Sequence, residues 1–362
     1  MRLAIRQAQR GLGRTSPNPC VGAVIVRGKE IVGKGFHRKA GTPHAEVNAI
    51  ADAGVEACKG ATIYVTLEPC NHTGKTPPCS RAVLAAGLRR VVVGMPDPHD
   101  LASGGAEFLQ SRGVAVTIGV LEEECRNLNR PFLKYINTGL PWVVMKAGMS
   151  LDGKISTRLG KGGAITGAAA RMRVHELRNT FDAILIGIDT ALIDNPSLTT
   201  RLPHGGRDPL RIILDSRLRL SPEARILRQQ SDNTTWIFCG NSVTSARKKN
   251  LEQAGVVVTR VDSLPGGSLN LRHILQILGR ADVLSVLVEG GAGVHGSFVK
   301  EKLVDEVFLF TAPYFIGDAG TPLIKGYSLA DNGRKLELED FSCELLGDDL
   351  LLHGIVALNH DK

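Results

Sequence analysis

Aromatic residues make up only 4% of the 362-residue sequence, and this scarcity argues against one class of function. Proteins that bind single-stranded nucleic acid stack the bases on aromatic side chains. The net charge of +8 is spread along the chain, and its tightest run, Arg247-Lys248-Lys249, fits a solvated helix face. Small anionic ligands therefore explain the positive charge better than nucleic acid does.

The sequence also lacks a long apolar run. No stretch approaches the roughly 20 apolar residues that a membrane span requires. The first residues enter an amphipathic helix pattern at once, unlike a signal peptide. Seven cysteines are an odd number, spread thinly over the chain, which argues against a disulfide framework. These absences predict a cytoplasmic protein with no membrane partner.

The length of the chain allows two domains, because single domains usually run to roughly 100 to 200 residues. In the first third, strand and helix patterns alternate as they do in a layered α/β sheet. Turn-forming residues at 137–141 interrupt this pattern, and a second alternation of strands and helices follows. We therefore predict an α/β protein with two domains, residues 1–139 and 140–362.

One imidazole and two thiols in the first half form the soft ligand set that tetrahedral zinc prefers. We predict that His44, Cys70 and Cys79 bind Zn²⁺ and leave one position open for a water molecule, whose pKa the metal lowers toward about 7. Glu46 is not a ligand in this scheme but moves a proton from that water to departing ammonia. Thr42 is expected to cap the helix that carries Glu46.

A closed structural zinc site, or cysteines that are merely buried, would use the same residue types. The order of the motifs favours a catalytic site, because each lies at a predicted helix start that follows a strand or turn. We take the other five cysteines as structural.

Eight residues separate Cys70 from Cys79, where zinc deaminases usually have two. The intervening loop carries a cation and hydrogen-bond donors at His72, Lys75 and Thr76, which suit a phosphate on the substrate. An ordinary solvated loop is the alternative interpretation.

The second half contains a glycine turn with Gly291, Gly293 and Gly296 between a predicted strand and a helix. Such a turn lets backbone N–H groups approach a pyrophosphate at the helix N-terminus. The turn comes late in the domain, and no acidic strand end follows about 20 residues later, so it is not a standard Rossmann fingerprint. A tight turn without a ligand is the other possibility.

The first half also carries the segments Thr15–Pro19, Gly35–His37, Pro43–Val47 and Thr66–Cys79. Together they closely resemble the deaminase domain of the bifunctional riboflavin biosynthesis deaminase-reductases, including the long spacing between the two cysteines. The resemblance implies a three-layer fold like that of cytidine deaminase. It also implies that five residues contact the deaminase substrate: Asn18, His37, His72, Lys75 and Thr76.

The chain departs from this family at two places. The family has Asp-Pro-Asn-Pro where this sequence has Asp97-Pro98-His99-Asp100. A short leader usually precedes the position that Met1 occupies here. The first departure concerns one wall of the expected substrate pocket.

Segments of the second half resemble the reductase domain of the same family. They are Lys146–Ile155, Ile165–Gly167, Asp194–Thr199, Ile213–Ser216 and the turn after Glu289. The resemblance implies a dihydrofolate-reductase-like α/β fold that uses NADPH. The implied cofactor-binding residues are Met149, Ser150, Thr190, Asp194, Ser216, Gly291, Ala292, Gly293, Val294, His295, Gly296 and Ser297. The implied substrate-binding residues are Arg178, Leu198, Arg201 and Glu289. Gly162-Gly163-Ala164 replaces the family's Ser-x-Trp.

The resemblance implies a specific pair of reactions. The first half would deaminate 2,5-diamino-6-ribosylamino-4(3H)-pyrimidinone 5′-phosphate, and the second would reduce the ribosyl group to ribityl. We expect small phosphorylated pyrimidines as substrates, no nucleic-acid partner, and a homo-oligomer, either a dimer or a tetramer. The alternative is a tRNA or nucleoside deaminase with an appended binding or scaffold module, which would have the same zinc site.

Overall fold

The computed structural model describes residues 1–73, 77–99, 103–332 and 335–357. The chain forms two compact units, Met1–Gly139 and Leu140–Lys362. Both contain helices and sheets, which confirms the α/β prediction. All seven cysteines are free thiols. Six of them are buried, and Cys343 is exposed.

The first unit is built on a five-stranded sheet. Its strands are β1 (Gly22–Arg27), β2 (Glu30–Phe36), β3 (Thr62–Leu67), β4 (Arg90–Met95) and β5 (Ala115–Thr117). Its helices are α1 (Arg2–Gln9), α2 (Ala45–Ala53), α3 (Val55–Cys58), α4 (Cys79–Ala85), α5 (Gly105–Ser111), α6 (Glu122–Leu128) and α7 (Arg130–Thr138). The strand order is β2-β1-β3-β4-β5, with β1 antiparallel to both neighbours and β3, β4 and β5 parallel.

Two glycines show that helices cover both faces of this sheet. A Cβ atom on Gly22 would lie 2.1 Å from the carbonyl oxygen of Ala4 in α1, and one on Gly35 would lie 2.3 Å from that of Ala45 in α2. Gly35 pairs with Ala23, the neighbour of Gly22, and successive strand residues point to opposite faces. Helices α1 and α2 therefore pack on opposite faces, which makes three layers.

The second unit is built on a nine-stranded sheet. The strands of the unit are β6 (Trp142–Ser150), β7 (Lys154–Ser156), β8 (Ala183–Gly187), β9 (Leu210–Leu214), β10 (Thr235–Gly240), β11 (Val257–Val261), β12 (Ser285–Val288), β13 (Glu306–Ala312), β14 (Thr321–Pro322), β15 (Leu338–Leu346) and β16 (Asp349–Val356). Its helices are α8 (Ala168–Thr180), α9 (Ile188–Asp194), α10 (Arg225–Arg228), α11 (Ser245–Glu252), α12 (Leu271–Arg280), α13 (Ala292–Lys300) and α14 (Leu329–Asn332).

The order in the large sheet is β11-β10-β9-β8-β12-β6-β13-β16-β15, and β7 pairs with β14 separately. The strands from β11 to β13 are parallel, whereas β16 is antiparallel to β13 and β15. On β8, Ala183 and Leu185 pack in one core with α12, and the alternating Ile184 and Ile186 pack in another with α9. Helices thus cover both faces, and the carboxyl ends of the parallel strands form one edge.

Candidate active sites

The three predicted zinc ligands lie at the ends of secondary-structure elements in the first unit. His44 is the residue before α2, Cys79 begins α4, and Cys70 follows β3. The expected cap at Thr42 is wrong, because its hydroxyl donates to the carbonyl oxygen of Lys39 at 2.7 Å instead. The helix begins two residues later than that cap implies, with the His44 imidazole next to its first turn.

The ligand atoms of His44, Cys70 and Cys79 all lie within 4.8 Å of one another. The Nδ1 atom of His44 is 3.1 Å from Cys79 Sγ and 3.6 Å from Cys70 Sγ. Hydrogen bonds from the Cys79 thiol, together with His44, lower the pKa of Cys70 to about 4, which favours the thiolate that metals bind. Both cysteines are buried. One nitrogen and two sulfurs converging on one point fit tetrahedral zinc with one position left for water or substrate.

Glu46 lies in the first turn of α2, and only 3% of its surface is exposed. Burial raises the pKa of Glu46 to about 7, although the neighbouring His44 opposes this rise. Its carboxyl group also interacts with the Cys79 thiol. The carboxyl group is thus held beside the three ligands and not exposed to bulk water.

Asn18 and His37 lie next to the metal ligands. The Asn18 amide Nδ2 donates to His37 Nε2 at 3.0 Å, and His37 Nδ1 therefore donates to the carbonyl oxygen of Pro43 at 3.3 Å. The rings of His37 and His44 meet edge to face, with centroids 5.2 Å apart. Burial lowers the pKa of His37, which favours the neutral ring. The structure thus brings two of the five expected substrate residues to the metal site.

The other expected substrate residues lie on the loop between the two cysteines. His72 is exposed, and Lys75 and Thr76 lie outside the described residues. The segment 97–100 is where this sequence differs from the family pattern. Its Asp97 carboxylate accepts a hydrogen bond from the backbone N–H of His99 at 2.9 Å, and burial raises the pKa of Asp97. Asp100 also lies outside the described residues.

Glu68 is a residue of this site that the sequence analysis missed. It is buried, and its carboxylate accepts hydrogen bonds from the backbone N–H groups of Asp97, Gly104 and Ala106 at 3.2, 3.1 and 2.9 Å. These bonds tie the segment before Cys70 to the end of β4 and the start of α5. An acidic residue between a buried strand and a Pro-Cys pair is the sequence signal that could have identified it.

A cleft of about 750 Å³ lies in the second unit. Its walls follow the carboxyl ends of the parallel strands, where open α/β sheets bind their ligands. Of the expected cofactor residues, the cleft is lined by Thr190, Asp194, Ser216, Gly291–Val294 and Ser297.

The glycines of the turn after β12 have different surroundings. Gly291 precedes α13, and a Cβ atom on Gly293 would meet nothing within 4 Å. A Cβ atom on Gly296 would instead lie 1.9 Å from the carbonyl oxygen of Lys325. His295 is buried, and its Nδ1 donates to the carbonyl oxygen of Leu323 at 3.2 Å. Gly291 and Gly293 thus face the cleft, whereas His295 and Gly296 pack against the 323–325 segment.

Met149 and Ser150 end strand β6, and neither belongs to the described residues that line this cleft. Ser150 is fully buried, and its hydroxyl donates to the Asp152 carboxylate at 2.5 Å. The backbone N–H groups of Ile316 and Gly317 donate to the same carboxylate at 3.0 and 2.7 Å. The Ser150 hydroxyl is therefore engaged in holding a turn.

A buried ion cluster lies at the centre of the second unit. Arg178 donates to the two carboxylate oxygens of Glu289 through Nε and Nη2, both at 2.8 Å, and Lys146 Nζ donates to Glu289 Oε2 at 3.3 Å. Burial alone would raise the pKa of Glu289, but Arg178 and Lys146 together lower it to about 2. Lys146 was missed as a site residue, although a lysine within the apolar strand β6 is a signal.

The other expected substrate residues surround this cluster. Arg201 is exposed, its backbone N–H donates to His175 Nδ1 at 3.3 Å, and its Nη1 donates to Thr199 Oγ1 at 3.2 Å. Burial, together with the positive charges of Arg178 and Arg201, lowers the pKa of His175 to about 4. The side chain of Leu198 packs in the core, and its backbone has a φ of 55°.

Two families match the two halves of the chain. Residues 1–95 match the cytidine and deoxycytidylate deaminase zinc-binding region, and residues 141–352 match the RibD C-terminal domain. The chain is 41% identical to the riboflavin biosynthesis protein RibD of Bacillus amyloliquefaciens, covering 98% of this chain and 95% of the relative. It is 40% identical to that of Escherichia coli K12, covering 99% and 98%.

Two of the similar solved structures cover 99% of the chain. Acinetobacter baumannii RibD superposes with a TM-score of 0.87 at 36% identity, covering 99% of this chain and 98% of that one. A diaminohydroxyphosphoribosylaminopyrimidine deaminase/5-amino-6-(5-phosphoribosylamino)uracil reductase from Thermotoga maritima superposes with a TM-score of 0.87 at 34% identity, covering 99% and 97%.

These similarities confirm the fold expected for each half, and they favour the two-activity enzyme over a tRNA or nucleoside deaminase with an appended module. They also account for both cofactors, since the His-Cys-Cys cluster fits zinc and the second half is an NADPH-dependent reductase domain. The chain belongs to the RibD family of riboflavin biosynthesis proteins, in which a zinc-dependent deaminase domain is joined to a reductase domain.

Proposed function

We propose that the first unit hydrolyses the amino group of 2,5-diamino-6-ribosylamino-4(3H)-pyrimidinone 5′-phosphate. The second unit then reduces the ribosyl group to give 5-amino-6-ribitylamino-uracil 5′-phosphate. The observation that carries the proposal is the convergence of His44, Cys70 and Cys79 beside the buried carboxyl group of Glu46. The activity named for the Thermotoga maritima relative supports this choice of substrate.

In the deamination, water adds to carbon 2 of the pyrimidine ring, and the 2-amino group leaves as ammonia. Zinc bound by His44, Cys70 and Cys79 supplies Lewis-acid activation of the water. Glu46 accepts the proton of the water and donates it to the departing amine, a role supported by its burial beside the ligands. The Asn18–His37 pair orients the ring, and His72, Lys75 and Thr76 bind the phosphate.

In the reduction, NADPH supplies the hydride, and the protein positions the two reactants. The backbone N–H groups at Gly291 and Gly293 would bind the pyrophosphate at the N-terminus of α13, and Thr190, Asp194 and Ser216 would contact other parts of the dinucleotide. Arg201 and the remaining N–H groups of Arg178 bind the phosphate of the substrate. Glu289 and the backbone of Leu198 contact the ribosylamino group.

The proposal is tested by measuring ammonia release and the loss of NADPH absorbance in one preparation of the full chain. We expect both reactions when the diaminopyrimidinone is supplied, and NADPH oxidation alone when the deaminated intermediate is supplied. Ammonia release from tRNA but not from the free pyrimidine would refute the choice of substrate.

Replacing Cys79 by serine is expected to separate the two activities. The variant should bind much less than one zinc per chain and release no measurable ammonia, because the thiolate is a ligand and the hydroxyl is a poor substitute. NADPH oxidation with the deaminated intermediate should stay within about twofold of the unaltered chain, because the reductase residues lie in another compact unit. Elemental analysis gives the zinc content. Full ammonia release without zinc would contradict the proposed metal site.

The large apolar side chains exposed on the second unit support the proposal that the chain forms a homo-oligomer, either a dimer or a tetramer. Leu159, Phe315 and Leu345 are 69, 75 and 75% exposed. Where such side chains cluster, they can mark contacts between subunits. Light scattering coupled to size-exclusion chromatography should give two or four times the mass of the chain, and a single-chain mass would refute the proposal.

No helix within the described part of the chain is long and apolar enough to cross a bilayer. The free state of the seven cysteines supports the further proposal of a cytoplasmic location.

A further inference from the structure

The carboxyl ends of β3 and β4 lie side by side in the first unit, because the two strands are parallel neighbours. Leu67 pairs with Met95, and the backbone N–H of Glu68 donates to the carbonyl oxygen of Met95 at 3.0 Å. The proposed zinc ligand Cys70 comes two residues after Glu68, and Asp97 comes two residues after Met95. The segment that starts at Asp97 therefore lies beside Cys70, at the edge where parallel α/β sheets bind their ligands.

The carboxylate of Glu68 joins this segment to the loop of Cys70 at three points. Its Oε2 atom accepts a hydrogen bond from the backbone N–H of Asp97 at 3.2 Å. Its Oε1 atom accepts from the backbone N–H groups of Gly104 and Ala106 at 3.1 and 2.9 Å. Glu68 is only 7% exposed, and hydrogen bonds to a charged group contribute more than neutral ones. One side chain thus fixes the segment 97–106 at its beginning and at its end.

A glycine allows the same two segments to make close backbone contact. A Cβ atom on Gly105 would lie 1.7 Å from the carbonyl oxygen of Pro69, the residue between Glu68 and Cys70. Any other residue at position 105 would therefore push the two segments apart. The close contact at Gly105 and the hydrogen bonds of Glu68 serve the same arrangement by independent means.

We propose that Glu68 is a positioning residue of the deaminase site, whose carboxylate holds the segment 97–106 against the loop of Cys70 as a preformed wall of the substrate pocket. The inference rests on the proposed deamination by the first unit. A wall that is already in place spares the substrate the cost of ordering it on binding. Loss of the carboxylate should therefore raise KM and leave kcat nearly unchanged, because the wall is in place again once the substrate is bound.

The test is Glu68→Gln in the full-length protein. Glutamine fills the same space, and its carbonyl oxygen can still accept from Gly104 and Ala106. Its NH2 group would face the N–H of Asp97, and two donors cannot bond to each other. KM for the diaminopyrimidinone should rise by about 10- to 100-fold, the range for a lost hydrogen bond to a charged group, while kcat stays within about threefold. Elemental analysis should give an unchanged zinc content.

Two further variants separate positioning from a general loss of structure. Gly105→Ala displaces the same wall without touching the carboxylate, and it should also raise KM at unchanged zinc content. Asp52→Asn is the matched control, because the Asp52 carboxylate also accepts a backbone N–H, from Lys34 at 2.8 Å, near the end of α2. This control should leave KM within about twofold of the unaltered chain.

An unchanged KM in Glu68→Gln would overturn the inference. Loss of zinc, or a fall in kcat at unchanged KM, would also overturn it, because Glu68 would then support the metal ligands or the chemistry. If Glu68→Gln does not fold, Gly105→Ala decides in its place, and an unchanged KM there overturns the inference. If the unaltered chain releases no ammonia from the diaminopyrimidinone, the proposed function itself fails, and this outcome is distinct from the others.

Discussion

Replacing Glu46 by glutamine (Glu46→Gln) is expected to lower ammonia release by about 100- to 10,000-fold and to leave the zinc content unchanged. Glutamine has nearly the same shape as glutamate and can fill the same buried space, but it cannot accept a proton from water and pass it to ammonia. The three ligands His44, Cys70 and Cys79 are untouched by the change. Zinc binding and proton transfer should therefore separate in this variant.

The measurement is steady-state ammonia release together with elemental analysis of the same sample. Glu56→Gln is the matched control, because Glu56 lies in the same unit with a side chain that is 84% exposed, and it should keep full activity. NADPH oxidation with the deaminated intermediate provides a second internal control. Undiminished ammonia release would refute the proton-transfer role. Loss of zinc together with activity would instead make Glu46 a structural part of the metal site.

The zinc ligands could be predicted because their residue types are chemically restrictive and each follows a recognisable strand or turn. A single imidazole and two thiols at His44, Cys70 and Cys79 leave few alternatives for the metal. The helix start was less predictable. Thr42 has the right chemistry for a cap, but the backbone turns later and places His44 at the start of α2. The Thr42 hydroxyl bonds within its own turn instead, so capping chemistry alone does not fix where this helix begins.

The residues missed by the sequence analysis depend on partners that are distant in the sequence. Lys146 and Glu289 are 143 positions apart and meet only because β6 and β12 are adjacent strands. Glu68 binds backbone groups near 97 and 104–106, which a residue pattern does not reveal. The hairpin of β15 and β16 was also not predicted. Most side chains of β15 are exposed, so this edge strand lacks the alternating pattern that marks a half-buried strand.

Replacing Glu289 by glutamine (Glu289→Gln) is expected to reduce the free energy of unfolding of the second unit by about 3–5 kcal/mol, because removing one partner leaves buried charges uncompensated. The side chains of Glu289, Arg178 and Lys146 are only 8, 11 and 14% exposed. Burial already lowers the pKa of Lys146, and the loss of the carboxylate would lower it further. NADPH oxidation with the deaminated intermediate should also fall sharply.

The measurement is urea unfolding of the full chain, with Glu337→Gln as the control for an exposed glutamate of the same unit. Adding Lys146→Met to Glu289→Gln should restore part of the lost stability, because it removes one of the two unpaired charges. The pH dependence gives an independent check. The folded pKa of Glu289, about 2, lies below its ordinary value of 4.5. Its stabilising effect is therefore present above pH 4.5 and is lost as the pH falls through about 2.

The difference in stability between the unaltered chain and Glu289→Gln should accordingly be largest near neutral pH and shrink as the pH falls below 4.5. A single change that costs less than about 1 kcal/mol at pH 7 would contradict the view that Glu289 compensates two buried cations, since that is the range of an exposed ion pair. If Glu289→Gln kept full stability but lost NADPH oxidation, Glu289 would contact the substrate without stabilising the fold.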